Sequence, residues 1–196
     1  MEFRTKVELP AKGPKIQHTD RLMIWGSCFS EHIGNLLAKH KFNCDVNPFG
    51  VLYNPMSIAT SIHCLLKKAL YQKEDLREEQ GEWYSLMHHS TFSSHEAEDC
   101  LLKINQRIAQ GHENLKQADW IIFTWGSSFV YTWKENGEIV GNCHKLPSRL
   151  FERKMVSADE ITAIYLPLLQ ELKAVRPNLQ CLFTVSPIRH LKDGLH

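Results

Sequence analysis

The sequence predicts a three-layer α/β domain, a mainly parallel sheet covered by helices on both faces. Three observations lead there. Runs of strand length that are almost wholly apolar recur at 22–25, 120–125 and 181–185, the stretches between them carry apolar residues at helical spacing, and each run stops at small or polar residues. Strands buried on both faces of a parallel sheet read as continuous apolar runs, and crossover helices supply the covering layers.

Residues 1–20 are polar and contain Pro10, Gly13 and Pro14, so they are expected to form an irregular N-terminal arm, with 21–196 as one domain. Leu22-Met23-Ile24-Trp25 reads as a buried strand stopped by Gly26, and Ile33, Leu36 and Leu37 then take helical spacing. Phe42, Cys44 and Val46 alternate with polar neighbours as a second strand would, up to the turn Asn47-Pro48-Phe49-Gly50. Asn54 followed by Pro55 predicts a helix start, with Ile58, Ile62, Leu65 and Leu66 on its apolar face.

The stretch 73–82 holds seven ionisable residues and reads as a solvated connection. Ser93 and Glu96 have capping-box spacing before a helix carried by Leu101, Ile104 and Ile108 and fading near Gly111. Asn136-Gly137, between Tyr131-Thr132-Trp133 and Glu138-Ile139-Val140, predicts a small hairpin excursion near 131–140. Ser157 and Glu160 cap a further helix, which Pro167 is expected to kink, and 181–185 closes the pattern as a fourth buried strand.

With 196 residues, 43% hydrophobic, the chain can bury one good core. Its net charge of +1 gives no general attraction to nucleic acid or anionic membrane. The six cysteines are scattered with no C-x-x-C pair, and no run approaches the ~18 apolar residues of a membrane span. A soluble, cytoplasmic protein without cofactor or metal is expected.

In open parallel sheets, ligands bind beyond the carboxyl ends of the strands. The residues there are Gly26-Ser27-Cys28, Asn47-Pro48-Phe49-Gly50, Gly126-Ser127-Ser128 and Ser186-Pro187. A Ser between a buried strand and a helix exposes its hydroxyl beside backbone N–H groups that favour developing negative charge, which suits acyl transfer. Gly50 and Ser128 could present further donors, and Asn142 offers a side-chain amide. On the turn alone, the plainer reading is that Ser27 only starts the helix.

Gly26-Ser27-Cys28-Phe29-Ser30, the run from Asn47 to Pro55, Gly141-Asn142-Cys143-His144-Lys145 and Thr184-Val185-Ser186-Pro187-Ile188-Arg189-His190 together closely resemble the GSCFA-domain family. These are bacterial proteins grouped with SGNH hydrolases. The resemblance runs from Arg21 through nearly the whole chain, with Ser30 where the family usually has Ala. It implies a flavodoxin-like sandwich, Ser27 as nucleophile, and oxyanion donors in the N–H of Ser27, that of Gly50 and the Gly126-Ser127-Ser128 turn. It also implies that His88 and His144 lie near the rim.

A serine nucleophile needs a base oriented by a third group. Asp193-Gly194-Leu195-His196 matches the Asp-x-x-His spelling that SGNH enzymes use, but as a final tetrapeptide it reads as coincidence. Family members continue past this point, so the resemblance implies a chain truncated before its base. The reading is a serine esterase acting on a small-molecule or carbohydrate ester, or else a non-catalytic module that keeps the rim as a binding groove.

Rival constellations are weaker. Cys28 is expected to be a buried, inert thiol. His88, His89, His95, Cys143 and His144 have no zinc-cage spacing and read as core or surface residues. Arg189 and His190 could bind a substrate anion or simply form a solvated turn.

Overall fold

The computed structural model describes residues 13–186. Its central sheet is parallel, ordered β2-β1-β5-β9, with β1 at Arg21–Trp25, β2 at Asn43–Val46, β5 at Trp120–Trp125 and β9 at Gln180–Val185. The register sets Trp25 beside Phe123 and Phe123 beside Phe183.

Alternation of side chains along β1 and β5 divides the core between the two faces. Met23, Trp25, Ile121 and Phe123 pack with Ile58, Ile62 and Leu65 of α2 (Pro55–Lys67), Ile104 and Ile108 of α3 (Ala97–Gln117), and Tyr165, Leu168 and Leu172 of α4 (Ala158–Val175). On the other face Leu22, Ile24 and Trp120 pack with Leu37 of α1 (Cys28–Lys39) and with Phe42, Cys44 and Val46. The three expected layers are present.

Local signals act where the sequence puts them. Asn54 accepts the N–H of Ser57 at 2.8 Å to cap α2, with Pro55 in the first turn. Ser157 and Glu160 form a reciprocal capping box, and α4 runs on as one helix through Pro167. The hairpin also forms, pairing β6 (Phe129–Trp133) with β7 (Ile139–Val140).

Several expectations need correction. The first residue of α3 is Ala97 behind Glu96, with no side-chain cap bond, so the Ser93 box does not close. That helix continues through Gly111, which is in place because the Leu65 side chain of α2 would lie 2.9 Å from any Cβ there. The charged stretch after α2 holds a short antiparallel pair, β3 (Arg77–Glu79) with β4 (Glu82–Tyr84).

A third strand, β8 (Phe151–Met155), pairs antiparallel with β6. Its Glu152-Arg153-Lys154 run hid it, since an exposed edge strand can be charged without losing its ladder. β9 is not a buried strand. Among the described residues it is the sheet edge, and Val185 is 70% exposed while Leu182 and Phe183 are also open to solvent.

Candidate active site

The turn after β1 is built around Gly26. Its φ of +153° suits glycine, and a Cβ there would lie 2.7 Å from the Thr124 carbonyl oxygen and closer still to Ser30 Oγ. Ser30 is buried and donates its hydroxyl to Trp25 O at 3.3 Å, so the small residue expected at this position is a packed one. The next residue, Ser27, has extended backbone (φ −76°, ψ −171°) and caps α1, its Oγ accepting the Phe29 N–H at 3.3 Å.

Main-chain bonds hold three rim turns together. Leu52 N–H donates to Gly26 O at 3.1 Å, while Gly126 and Ser127 donate theirs to Tyr53 O at 2.9 and 3.0 Å. A Cβ on Gly126 would lie 3.5 Å from Tyr53 O and 3.8 Å from Ser27 Cβ, so Ser27 and Tyr53 flank that glycine. Asn47, with a left-handed φ of 46°, accepts the Gly26 N–H on its side-chain oxygen at 2.9 Å.

These bonds decide which groups are free to act. Gly50 N–H is donated to Asn47 O at 2.8 Å inside its own turn, and the Gly126 and Ser127 N–H groups are taken by Tyr53. The Ser127 hydroxyl accepts the Phe129 N–H at 3.1 Å, and Ser128 O receives Val156 N–H. Ser27 N–H and Cys28 N–H have no acceptor among the described residues. They are the open donors at the positive end of α1.

Beside this turn lies a cleft of about 720 Å³, lined by Cys28, Tyr53, Asn54, His89, Ser127, Phe129, Tyr131, Asn142 and Arg153 among others. It adjoins a second hollow of about 880 Å³ that shares His89 and Asn142 and adds Tyr84, His95 and His144. Cys28 is exposed on the cleft wall, not buried in the sheet, because as the first residue of α1 it faces outward with Phe29. Burial, and then Cys28 and Glu31 nearby, hold the Tyr53 phenol above its ordinary pKa. The Arg153 guanidinium lies 3.4 Å from the centre of the Phe129 ring.

Residues 21–196 match the model of the GSCFA family. The chain belongs to the GSCFA family. No curated protein and no solved structure matches it.

In this GSCFA chain the two histidines expected near the rim differ sharply. His88 is 1% exposed, stacked on Phe49 at 4.2 Å, with Nδ1 3.0 Å from Ser85 Oγ and Nε2 without a partner. Burial, with His144 nearby, pushes its pKa down to about 3. It is a core residue. His144 sits in a left-handed turn and donates Nε2–H to the carbonyls of Ser85 and His88, at 2.9 and 3.1 Å. Nδ1 is then the acceptor in the neutral ring, and burial lowers the pKa.

Asn142 accepts the His144 N–H on Oδ1 at 2.8 Å, which leaves its amide NH₂ without an acceptor among the described residues, and it lines both hollows. Sequence reasoning missed His89, where both hollows meet, and Asn54. The adjacency of His89 to Gly50 comes from its N–H bond to Phe49 O, which no local pattern announces. His190, Arg189 and the Asp193-to-His196 tetrapeptide lie outside the described residues. Among the described residues no His, Asp or Glu bonds Ser27 Oγ, no helix is long and apolar enough to cross a membrane, and no three metal-ligating side chains gather.

Proposed function

We propose that this GSCFA protein is an SGNH-type serine hydrolase of esters, with Ser27 as nucleophile. One observation carries the reading: Ser27 caps α1 next to Cys28, which lines the cleft, and the N–H groups of Ser27 and Cys28 are both unbound among the described residues. Attack of Oγ on an ester carbonyl carbon would place the developing oxyanion against those donors and the positive end of α1. The Ser27 proton goes to a base that is not among the described residues, the alcohol leaves with a proton, and water then frees the acid from Ser27. Tyr53, Phe129 and Tyr131 give the cleft aromatic walls of the kind on which sugar rings stack, which supports an acylated carbohydrate as the ester.

The test is covalent labelling. A fluorophosphonate should modify Ser27, and p-nitrophenyl acetate should be cleaved. Equal labelling of Ser27→Ala would remove Ser27 from the chemistry. Among the described residues Ser27 Oγ is bonded only to the Phe29 N–H, the arrangement of a plain helix cap, which supports a second reading, a groove that binds acylated glycans without turnover. It predicts saturable glycan binding with no release of acid.

A further inference from the structure

Asn54 reads in sequence as a helix cap and nothing more. Its place in the fold gives it a second face. It is only 5% exposed, yet it lines the 720 Å³ cleft. Because a backbone N–H can only donate, the atom that accepts from Ser57 at 2.8 Å must be Oδ1, which fixes the orientation of the amide. Nδ2 is left with no acceptor among the described residues, and unlike the amide of Asn47 it is not sealed from solvent. For a side chain so deeply buried, that open edge is the cleft.

The main chain just before Asn54 runs beside the Ser27 turn. Residues 52–54 run beside the nucleophile turn through the Leu52-to-Gly26 bond, and the Tyr53 carbonyl shares the Gly126 site with Ser27 Cβ. Asn142, which lines the same cleft, is held in the same manner by the His144 N–H. Two amides that line this cleft thus have their oxygens tied down locally and their NH₂ groups without an acceptor among the described residues. A carbonyl or oxyanion is the chemical group to which such a pair donates, and without one the Asn54 donor has no partner but solvent.

We infer that Asn54 donates its side-chain N–H to the carbonyl oxygen of the bound ester, replacing the Gly50 and Gly126-Ser127 donors that the fold has already used. The assignment rests on the Ser27 reading for its catalytic meaning. Asn54→Asp separates the two roles of the residue, since aspartate caps a helix as well as asparagine but presents an acceptor where the amide donor was. The melting temperature of Asn54→Asp should stay near that of the parent, while kcat for p-nitrophenyl acetate and the rate of fluorophosphonate labelling fall about 100-fold, the usual loss for one oxyanion donor. Asn54→Ser, a neutral cap without the reaching N–H, should show the same split.

A second readout is independent of turnover. In ¹⁵N-edited NMR spectra the Asn54 side-chain amide pair, assigned by its loss in Asn54→Asp, should shift as sodium acetate is added. Parent-like labelling in both variants, or an amide pair that acetate does not move, overturns the role of Asn54. Failure of the parent chain to label at Ser27 overturns the nucleophile instead, and the acetate-induced shift then decides Asn54 as an acceptor-binding donor by itself.

Discussion

The side-chain oxygen of Asn47 accepts the N–H of Gly26 at 2.9 Å and so ties the end of β2 to the turn that presents Ser27. Asn47 is in the left-handed region, where asparagine is among the few side chains tolerated, and Gly26 is buried. Asn47→Ala should cost about 2–4 kcal/mol in urea unfolding, from an unpaired buried N–H and a strained backbone. Asn47→Gly should recover roughly 1 kcal/mol of that by relieving the backbone alone. Equal losses in the two variants would show that the backbone contributes nothing.

Gly26→Ala tests the turn itself. The new methyl would press on Thr124 O and Ser30 Oγ at a φ of +153°. A loss of about 2–4 kcal/mol is expected, with Ser27 reactivity falling as the turn shifts. An alanine variant with parent stability would mean that the turn adjusts without strain.

Acid should weaken the fold through His88. Its folded pKa is depressed to about 3 by burial, while the unfolded chain titrates near 6.5. The stability it contributes is therefore complete above pH 6.5 and is lost as the pH falls toward 3, because only the unfolded chain takes up the proton. Between pH 7 and 5 this amounts to about 2 kcal/mol. His144 is depressed in the same direction and adds to the fall. Urea unfolding of His88→Phe, which keeps a ring to stack on Phe49, should show a shallower pH dependence, and an unchanged slope would exclude His88 as the source.

The capping box of α4 makes a simpler prediction. Ser157 accepts the Glu160 N–H at 3.2 Å and Glu160 accepts the Ser157 N–H at 2.8 Å. Ser157→Ala should lower stability by about 1 kcal/mol, read as a small drop in melting temperature with reactivity at Ser27 unchanged. A larger loss would indicate that α4 is held by its cap more than by Tyr165, Leu168 and Leu172.

What the sequence made legible was whatever a short window of residues decides. The strands 22–25 and 120–125, the Asn54-Pro55 helix start, the Asn136-Gly137 hairpin and the Ser157 box depend on neighbours in the chain. β8 was hidden because its charged residues face solvent, and the exposure of β9 because an apolar run does not say whether a strand is central or at an edge. The site was legible only in part. Ser27 and Asn142 could be named from turns and motifs, but whether Gly50 or Ser127 has a free N–H depends on Asn47 and Tyr53 carbonyls placed by the tertiary fold. Asn54 was visible only as a cap for the same reason: its second face exists because Tyr53 and Gly126 bring it to the cleft.

The bonds from Leu52 to Gly26 and from Gly126 and Ser127 to Tyr53 run between main-chain atoms. A frame stitched this way is indifferent to most of the side chains it carries. The exposed ring of Tyr53 lines the cleft, but it is the Tyr53 carbonyl that holds Gly126 and Ser127, so exchanging that ring is expected to reshape the cleft with little effect on where Ser27 stands. The shape of the cleft and the placement of the serine thus fall to different atoms of one residue.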